Sequence, residues 1–257
     1  MQALYQAQPC YDLAPGSGLR ALDMQGWSPG ASLYERLLEE VDAVTVIEVG
    51  VWKGLSAAHM ARWLKRKGQG VLVAVDTWLG APEFWSAFSM LGHDEGHNLS
   101  IVHGYPSVFF TFLSNMVHLG LQDAVVPLPQ TSQTASVILL RLGVMEVDLV
   151  HIDAAHEWGP CRQDIHIWWP FVRAGGILLG DDWTPGWPGV QKASWQDAWV
   201  GVGAVLEFVV LCELNEYLKI EGIKWMIHKP PAEWFAARPL LPAVCTTGQT
   251  DHYPEHM

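Results

Sequence analysis

Three aspartates and one histidine are the residues most able to do chemistry here. Asp153 lies in His151-Ile152-Asp153-Ala154-Ala155-His156, Asp181-Asp182 follow the apolar run Ile177 to Leu179, and His156 stands three residues past Asp153. Unpaired carboxylates close together raise one another's pKa and oppose folding, so a convergent set calls for a cation. With oxygen donors alone that cation would be Mg2+, with Mn2+ or Ca2+ as alternatives, leaving open positions for water and a substrate oxygen. A histidine titrates ordinarily near about 6.5, which suits a general base at neutral pH. Each residue also has a plainer use: Asp153 as the cap of a following helix, Asp181 and Asp182 as solvated charges, His156 as a structural side chain. His151, inside the apolar run, is expected in the core.

The surrounding elements decide between these uses. Short β-branched runs recur at Val44 to Val49, Val71 to Val75, Val125 to Leu128, Val147 to Ile152 and Ile177 to Leu179. Helical stretches lie between them, at Ser32 to Glu40, Leu55 to Lys67 and Asp164 to Trp169. The alternation reads as βαβ units, and runs apolar on both faces read as covered strands of a doubly wound, Rossmann-like α/β sheet. Later strands are expected at Val205 to Val210 and Lys224 to His228. Strands four and five would end in Asp153 and in Asp181-Asp182. If they are neighbours in a parallel sheet, these carboxylates share its carboxyl-terminal edge, where ligands bind.

The first strand runs into Glu48-Val49-Gly50-Val51-Trp52-Lys53-Gly54-Leu55-Ser56 and then a helix, the strand, glycine turn, helix arrangement of nucleotide-binding folds. A dinucleotide fingerprint needs a second glycine where Trp52 stands, so a cofactor without phosphates is favoured over NAD. Asp76, ending the second strand, is positioned to accept hydrogen bonds from ribose hydroxyls, with helix capping as its plainer use.

These residues resemble the class I S-adenosylmethionine methyltransferases, and within them the metal-dependent O-methyltransferases that act on catechols and on macrolide sugars of the macrocin and mycinamicin type. The resemblance runs from about Trp27 to Lys229 and is most specific at Glu48 to Ser56, Val75-Asp76-Thr77-Trp78, Asp148 to Trp158, and Trp168-Trp169-Pro170 through Gly175-Gly176 to Gly180-Asp181-Asp182-Trp183. It implies a sheet of about seven strands with the last, Lys224 to His228, antiparallel. It further implies Glu48, Gly50 and Ser56 around the methionine part of S-adenosylmethionine, Trp52 as a ring closing over it, Asp76 on the ribose, and Ser132 and Gln133 by the adenine. Asp153, Asp181 and Asp182 match the metal ligands. Catechol enzymes carry Asn at the place of Asp182 and Lys at that of His156, so the macrolide-sugar branch is the nearer. The implied reaction is in-line transfer of a methyl group to a metal-bound hydroxyl of a small molecule, with His156 taking the proton. Trp183, beside the ligand pair, is the substrate-stacking candidate in a proline-rich loop, whereas Trp195 and Trp199 have the spacing of core residues. A nicotinamide oxidoreductase and a non-catalytic cofactor-binding scaffold are the rival readings; Trp52 opposes the first, the acid cluster the second.

With 257 residues, half of them hydrophobic, and a formal net charge of -12, the chain is expected to be one cytoplasmic methyltransferase domain, 1–257, without nucleic-acid or membrane partners. Residues 1–43 would form an N-terminal cap and first helix, in which Trp27 suits a lid or a homo-oligomer interface. The irregular stretch 78–100 reads as a lid, and 245–257 as a flexible tail. Lys65-Arg66-Lys67 ends a helix and needs no ligand; His93 to His97 reads as a solvated loop. Cys10, Cys161, Cys212 and Cys245 are scattered, which indicates neither a disulfide framework nor a zinc site and fits a reducing compartment.

Overall fold

The computed structural model describes residues 11, 18–26, 30–81, 84–85, 99–183 and 200–246. The chain forms two compact units, Met1–Thr131 and Ser132–Met257.

In the first unit, α1 (Ala31–Glu40), β1 (Thr45–Val49), α2 (Leu55–Lys67), β2 (Val71–Asp76), α3 (Val108–His118) and β3 (Val125–Pro129) follow in order. β2 pairs in parallel with β1 on one side and β3 on the other. Val46, Ile47, Leu72, Ala74 and Val125 are fully buried, as expected of strands covered on both faces. α2 begins after Gly54, whose φ of +90° belongs to the left-handed region. A Cβ there would lie 2.8 Å from Met116 and 2.9 Å from Phe112, so α3 packs against bare backbone. Gly68, also left-handed, closes α2 after Lys65, Arg66 and Lys67, the expected helix end. The segment 18–26 is fastened to α3 by polar groups: Arg20 donates to the Ser107 carbonyl at 2.9 Å and to Thr111 Oγ1 at 3.0 Å. Asn115 receives the Asp23 backbone N–H at 3.0 Å.

The second unit holds α4 (Ser132–Arg141), β4 (Val147–Ile152), α5 (Trp158–Trp168), a 3-10 turn (Trp169–Phe171), β5 (Val172–Gly180), α6 (Val200–Leu211), β6 (Leu218–Glu221), β7 (Lys224–His228), α7 (Ala232–Ala236) and α8 (Ala243–Thr246). A second 3-10 turn, Asn215–Tyr217, precedes β6. β4 and β5 are parallel, while β7 runs antiparallel to β5 and to β6. The seven strands are ordered β3-β2-β1 in the first unit and β4-β5-β7-β6 in the second, mostly parallel and Rossmann-like as expected, with Lys224–His228 as the antiparallel last strand. Gly180 lies opposite Trp225, and a Cβ on it would sit 2.1 Å from the indole, so no larger residue fits.

Several expectations need correction. Val205 to Val210 is not a strand but the middle of α6, where Val202, Val205, Phe208 and Val209 are buried at helical spacing against α5. With Glu207 as its single polar residue, the run carries no period that chooses between the two. β6, α3 and α4 were not anticipated, and α5 starts at Trp158, earlier than Asp164, because Pro160 is tolerated in a first turn whose N–H groups lack helical partners.

Cys212 and Cys245 form a disulfide across 33 residues, contrary to the unpaired reading. Spacing alone cannot show that α8 returns to the end of α6, and the pairing removes the support that scattered cysteines lent to a reducing compartment. Cys245 and Thr246, expected to open a flexible tail, instead end α8, with Cys245 fully buried, and residues 247–257 lie outside the described residues. Among the described residues no helix is long and apolar enough to cross a membrane. Most of the expected lid 78–100, the loop 184–190 with Trp187, and Trp27, Trp195 and Trp199 lie outside the described residues.

Candidate active site

In the first unit the glycine turn is held by Asp76. Its Oδ2 accepts the backbone N–H of Val51 at 2.8 Å and of Trp52 at 2.9 Å, and its Oδ1 that of Trp78 at 2.7 Å. Burial raises its pKa, and the backbone donors oppose that rise. Gly50, at φ +83°, and Trp52, at φ +53°, take left-handed conformations that the brace over-determines. The Trp52 ring is steered from two sides: Nε1 donates to Gln25 Oε1 at 2.9 Å, and Phe84 lies against the ring with centroids 4.8 Å apart. Trp78 Nε1 donates to the Trp52 carbonyl at 2.7 Å. Glu48 is fully buried at the same strand end, and Ser56 is buried in the first turn of α2. Lys53, buried, pairs with Asp23 at 2.6 Å. The bracing task of Asp76 was not legible in the sequence, since its donors come from the turn it shapes.

In the second unit, Ser132 and Gln133 open α4, with Gln133 exposed. The Ser132 side chain hydrogen-bonds Asp164 of α5, whose carboxyl burial nevertheless pushes up to about 6.

β4 and β5 are neighbours, the adjacency on which convergence of the acids depends. Asp153 is pushed up to about 7, first by burial and then by the charges of Asp181 and Asp182, while Lys224 and His156 pull it down. His156 stands in the loop just before α5, and its Nδ1 lies 2.5 Å from Asp182 Oδ2, with both side chains about half exposed. That contact holds the Asp182 carboxyl below its ordinary value. Asp182 has φ +60°, a left-handed conformation, and its N–H bonds Asp181 Oδ1 at 2.8 Å. The Trp183 backbone N–H donates to Ile223 at 2.7 Å, which ties the loop after β5 to the β6–β7 turn.

One member of this cluster escaped the sequence reading. Lys224, the first residue of β7 and fully buried, donates from Nζ to Asp181 Oδ2, and its Nζ lies 3.2 Å from His151 Nε2. Burial and the ammonium hold His151 well below its ordinary pKa, so the imidazole is neutral and accepts from the lysine. His151 is thus a core residue, as expected. The only signal for Lys224 was a charge opening the apolar strand Lys224-Trp225-Met226-Ile227-His228.

A divalent ion at this edge would need several of these side chains aimed at one point. Among the described residues no group of three His, Cys, Asp or Glu side chains is arranged to hold one. Asp181 is engaged by an ammonium and Asp182 by an imidazole, so the residues as arranged do not fit the metal that their types led us to expect. Cys161, which forms no disulfide, is buried, and burial pushes its thiol up to about 12, so it stays protonated at neutral pH.

The family described as a methyltransferase domain matches residues 47–183, more than half of the chain, and the protein belongs to it. No curated protein matches the sequence. Similar solved structures include the O-methyltransferase TomG of Streptomyces achromogenes, involved in tomaymycin synthesis, at 16% identity and TM-score 0.52 over 80% of this chain and 82% of that chain. The O-methyltransferase of Bacillus cereus in complex with S-adenosylhomocysteine is 15% identical, with TM-score 0.52 over 82% of this chain and 84% of that one. NovP, an O-methyltransferase, is 18% identical, with TM-score 0.55 over 78% and 79%. At these identities the likeness is one of fold.

Proposed function

We propose that the protein transfers the methyl group of S-adenosylmethionine to a hydroxyl of a small molecule of sugar or natural-product type, with His156 as general base oriented by Asp182. The observation that carries this reading is the His156–Asp182 contact at the edge of a methyltransferase fold. Asp182 holds the Nδ1 side of the imidazole and so places a carboxylate beside the imidazolium that forms when Nε2 takes the hydroxyl proton. The structural neighbours that act in tomaymycin synthesis and as a calicheamicin methyltransferase support the choice of acceptor class.

The first unit fits the cofactor. A buried carboxylate at Glu48 suits an ammonium group, the turn at Gly50 exposes backbone to a ligand without phosphates, and Trp52 supplies a flat apolar face. Ser56 would complete the methionine end, Asp76 would face the ribose while bracing the turn, and Ser132 and Gln133 would face the adenine. S-adenosylmethionine, when bound, brings a methyl group already activated on sulfonium, so alignment and proton removal are what the chain must add. Trp183 is the stacking candidate for the acceptor. Mg2+ assistance, the other expectation from Asp153, Asp181 and Asp182, is not carried into this reading because the donor set does not fit it.

Calorimetry with S-adenosylmethionine and with NAD, followed by release of S-adenosylhomocysteine with a panel of phenols and sugars, tests the proposal. Binding of the first ligand alone, with turnover on at least one acceptor, is expected. Binding of NAD instead, or binding without any turnover across the panel, would reject it.

A further inference from the structure

The disagreement between the three carboxylates and the absence of a fitting metal geometry has its explanation in Lys224. The antiparallel register that sets Gly180 against Trp225 brings the next residues, Asp181 and Lys224, side by side. The Lys224 side chain is 1% exposed and that of Asp181 7%, so their ion pair is formed out of water. An ammonium buried so completely needs a carboxylate partner and further hydrogen-bonding groups, and Asp181 and His151 supply both kinds. The same ammonium acts attractively on Asp153, which the other two acids repel. Positive charge is therefore already present within the acid cluster, delivered covalently by β7.

We infer that Lys224 is an internal cation that takes the place of a divalent metal, so that the acid cluster excludes Mg2+ and Mn2+ and the methyl transfer proposed above proceeds without either. The physical reason is competition for one ligand. A divalent ion bound by Asp181 would lie within a few ångströms of the ammonium, where like charges in a desolvated site repel strongly. The ion would have to displace Lys224 from Asp181 and leave its charge buried without a carboxylate. His156 and Asp182 then carry proton removal, and Lys224 acts as a positioning residue through Asp181 and Asp153.

The inference rests on the function proposed above, yet its test is independent of turnover. The probe is Mn2+ alone, titrated into the full chain and followed by calorimetry and by the electron paramagnetic resonance signal of free Mn2+. The wild type should show no saturable site at millimolar concentrations. Lys224→Gln, which keeps a polar side chain without the charge, should tighten Mn2+ binding by at least about 10- to 100-fold, the scale on which groups around metal ligands act. Adding Asp181→Asn to that variant should abolish the gain, and Lys224→Arg should still exclude the ion. A saturable Mn2+ site in the wild type that Asp181→Asn removes would overturn the inference, as would a folded Lys224→Gln that gains nothing. Should Lys224→Gln not fold, the wild-type and Lys224→Arg titrations decide the matter. S-adenosylmethionine binding measured on the same samples separates this outcome from failure of the methyltransferase reading.

Discussion

His156 Nδ1 and Asp182 Oδ2 lie 2.5 Å apart, across the gap between the loop after β4 and the end of β5. This contact joins a residue that can take a proton to one that can fix its tautomer. His156→Ala should lower the rate of S-adenosylhomocysteine release by about 10²- to 10⁴-fold, the usual worth of a placed general base. Asp182→Asn should lower it by less, because a base remains but loses its orienting charge. Cofactor affinity should be unchanged in both, and an unaltered rate in His156→Ala would remove the residue from the chemistry.

Asp76 accepts N–H groups from Val51, Trp52 and Trp78, so its replacement should have two effects. Asp76→Ala should cost about 1.5–3 kcal/mol of stability, the scale of hydrogen bonds to a charged group. It should also weaken S-adenosylmethionine binding, since the turn that presents Gly50 and Trp52 loses its brace. A denaturant titration and calorimetry on the same variant report the two effects separately. Loss of stability with full affinity would leave Asp76 a purely structural residue.

Lys229, buried, donates to the carbonyls of Trp169 at 3.0 Å and Val172 at 2.7 Å, and burial lowers its pKa from 10.5 to about 8. The unfolded chain holds this proton up to about pH 10.5, whereas the folded chain releases it from about pH 8. Between those values the unfolded state binds more protons, so the contribution of Lys229 to stability rises with pH, by up to a few kcal/mol. Lys229→Met should remove that rise. The difference between wild-type and variant unfolding free energies from pH 7 to 10.5 isolates it, and a flat difference would contradict the assignment.

The Cys212–Cys245 disulfide closes a loop spanning 33 residues. Loop-closure entropy of that size corresponds to about 3–4 kcal/mol. Reduction, or Cys245→Ser, should therefore lower the melting temperature and loosen α8, from which the Cys245 carbonyl accepts a hydrogen bond of Trp169 Nε1 at 2.9 Å. Thermal melts with and without dithiothreitol measure the loss. Identical melts, with both thiols shown to be reduced, would mean that burial alone holds α8.

What the sequence determined by itself was local. The β-branched runs at Thr45–Val49, Val71–Asp76, Val147–Ile152 and Lys224–His228 read as strands because their apolar residues lie side by side in the chain. Gly50, Gly54, Asp76, Asp153, Asp181 and Asp182 were legible as strand-end residues for the same reason. Only the tertiary structure decided matters that depend on distant partners. Whether Val205 to Val210 was strand or helix turned on packing against α5, which a short apolar run with Glu207 as its one polar residue does not encode. The Cys212–Cys245 pairing required knowing where α8 returns. The charge balance of the acid cluster depended on Lys224, which lies 43 residues beyond Asp181 and meets it through antiparallel register alone. Carboxylates in a sequence announce a need for positive charge, and only the fold reveals whether an ion or a lysine meets it.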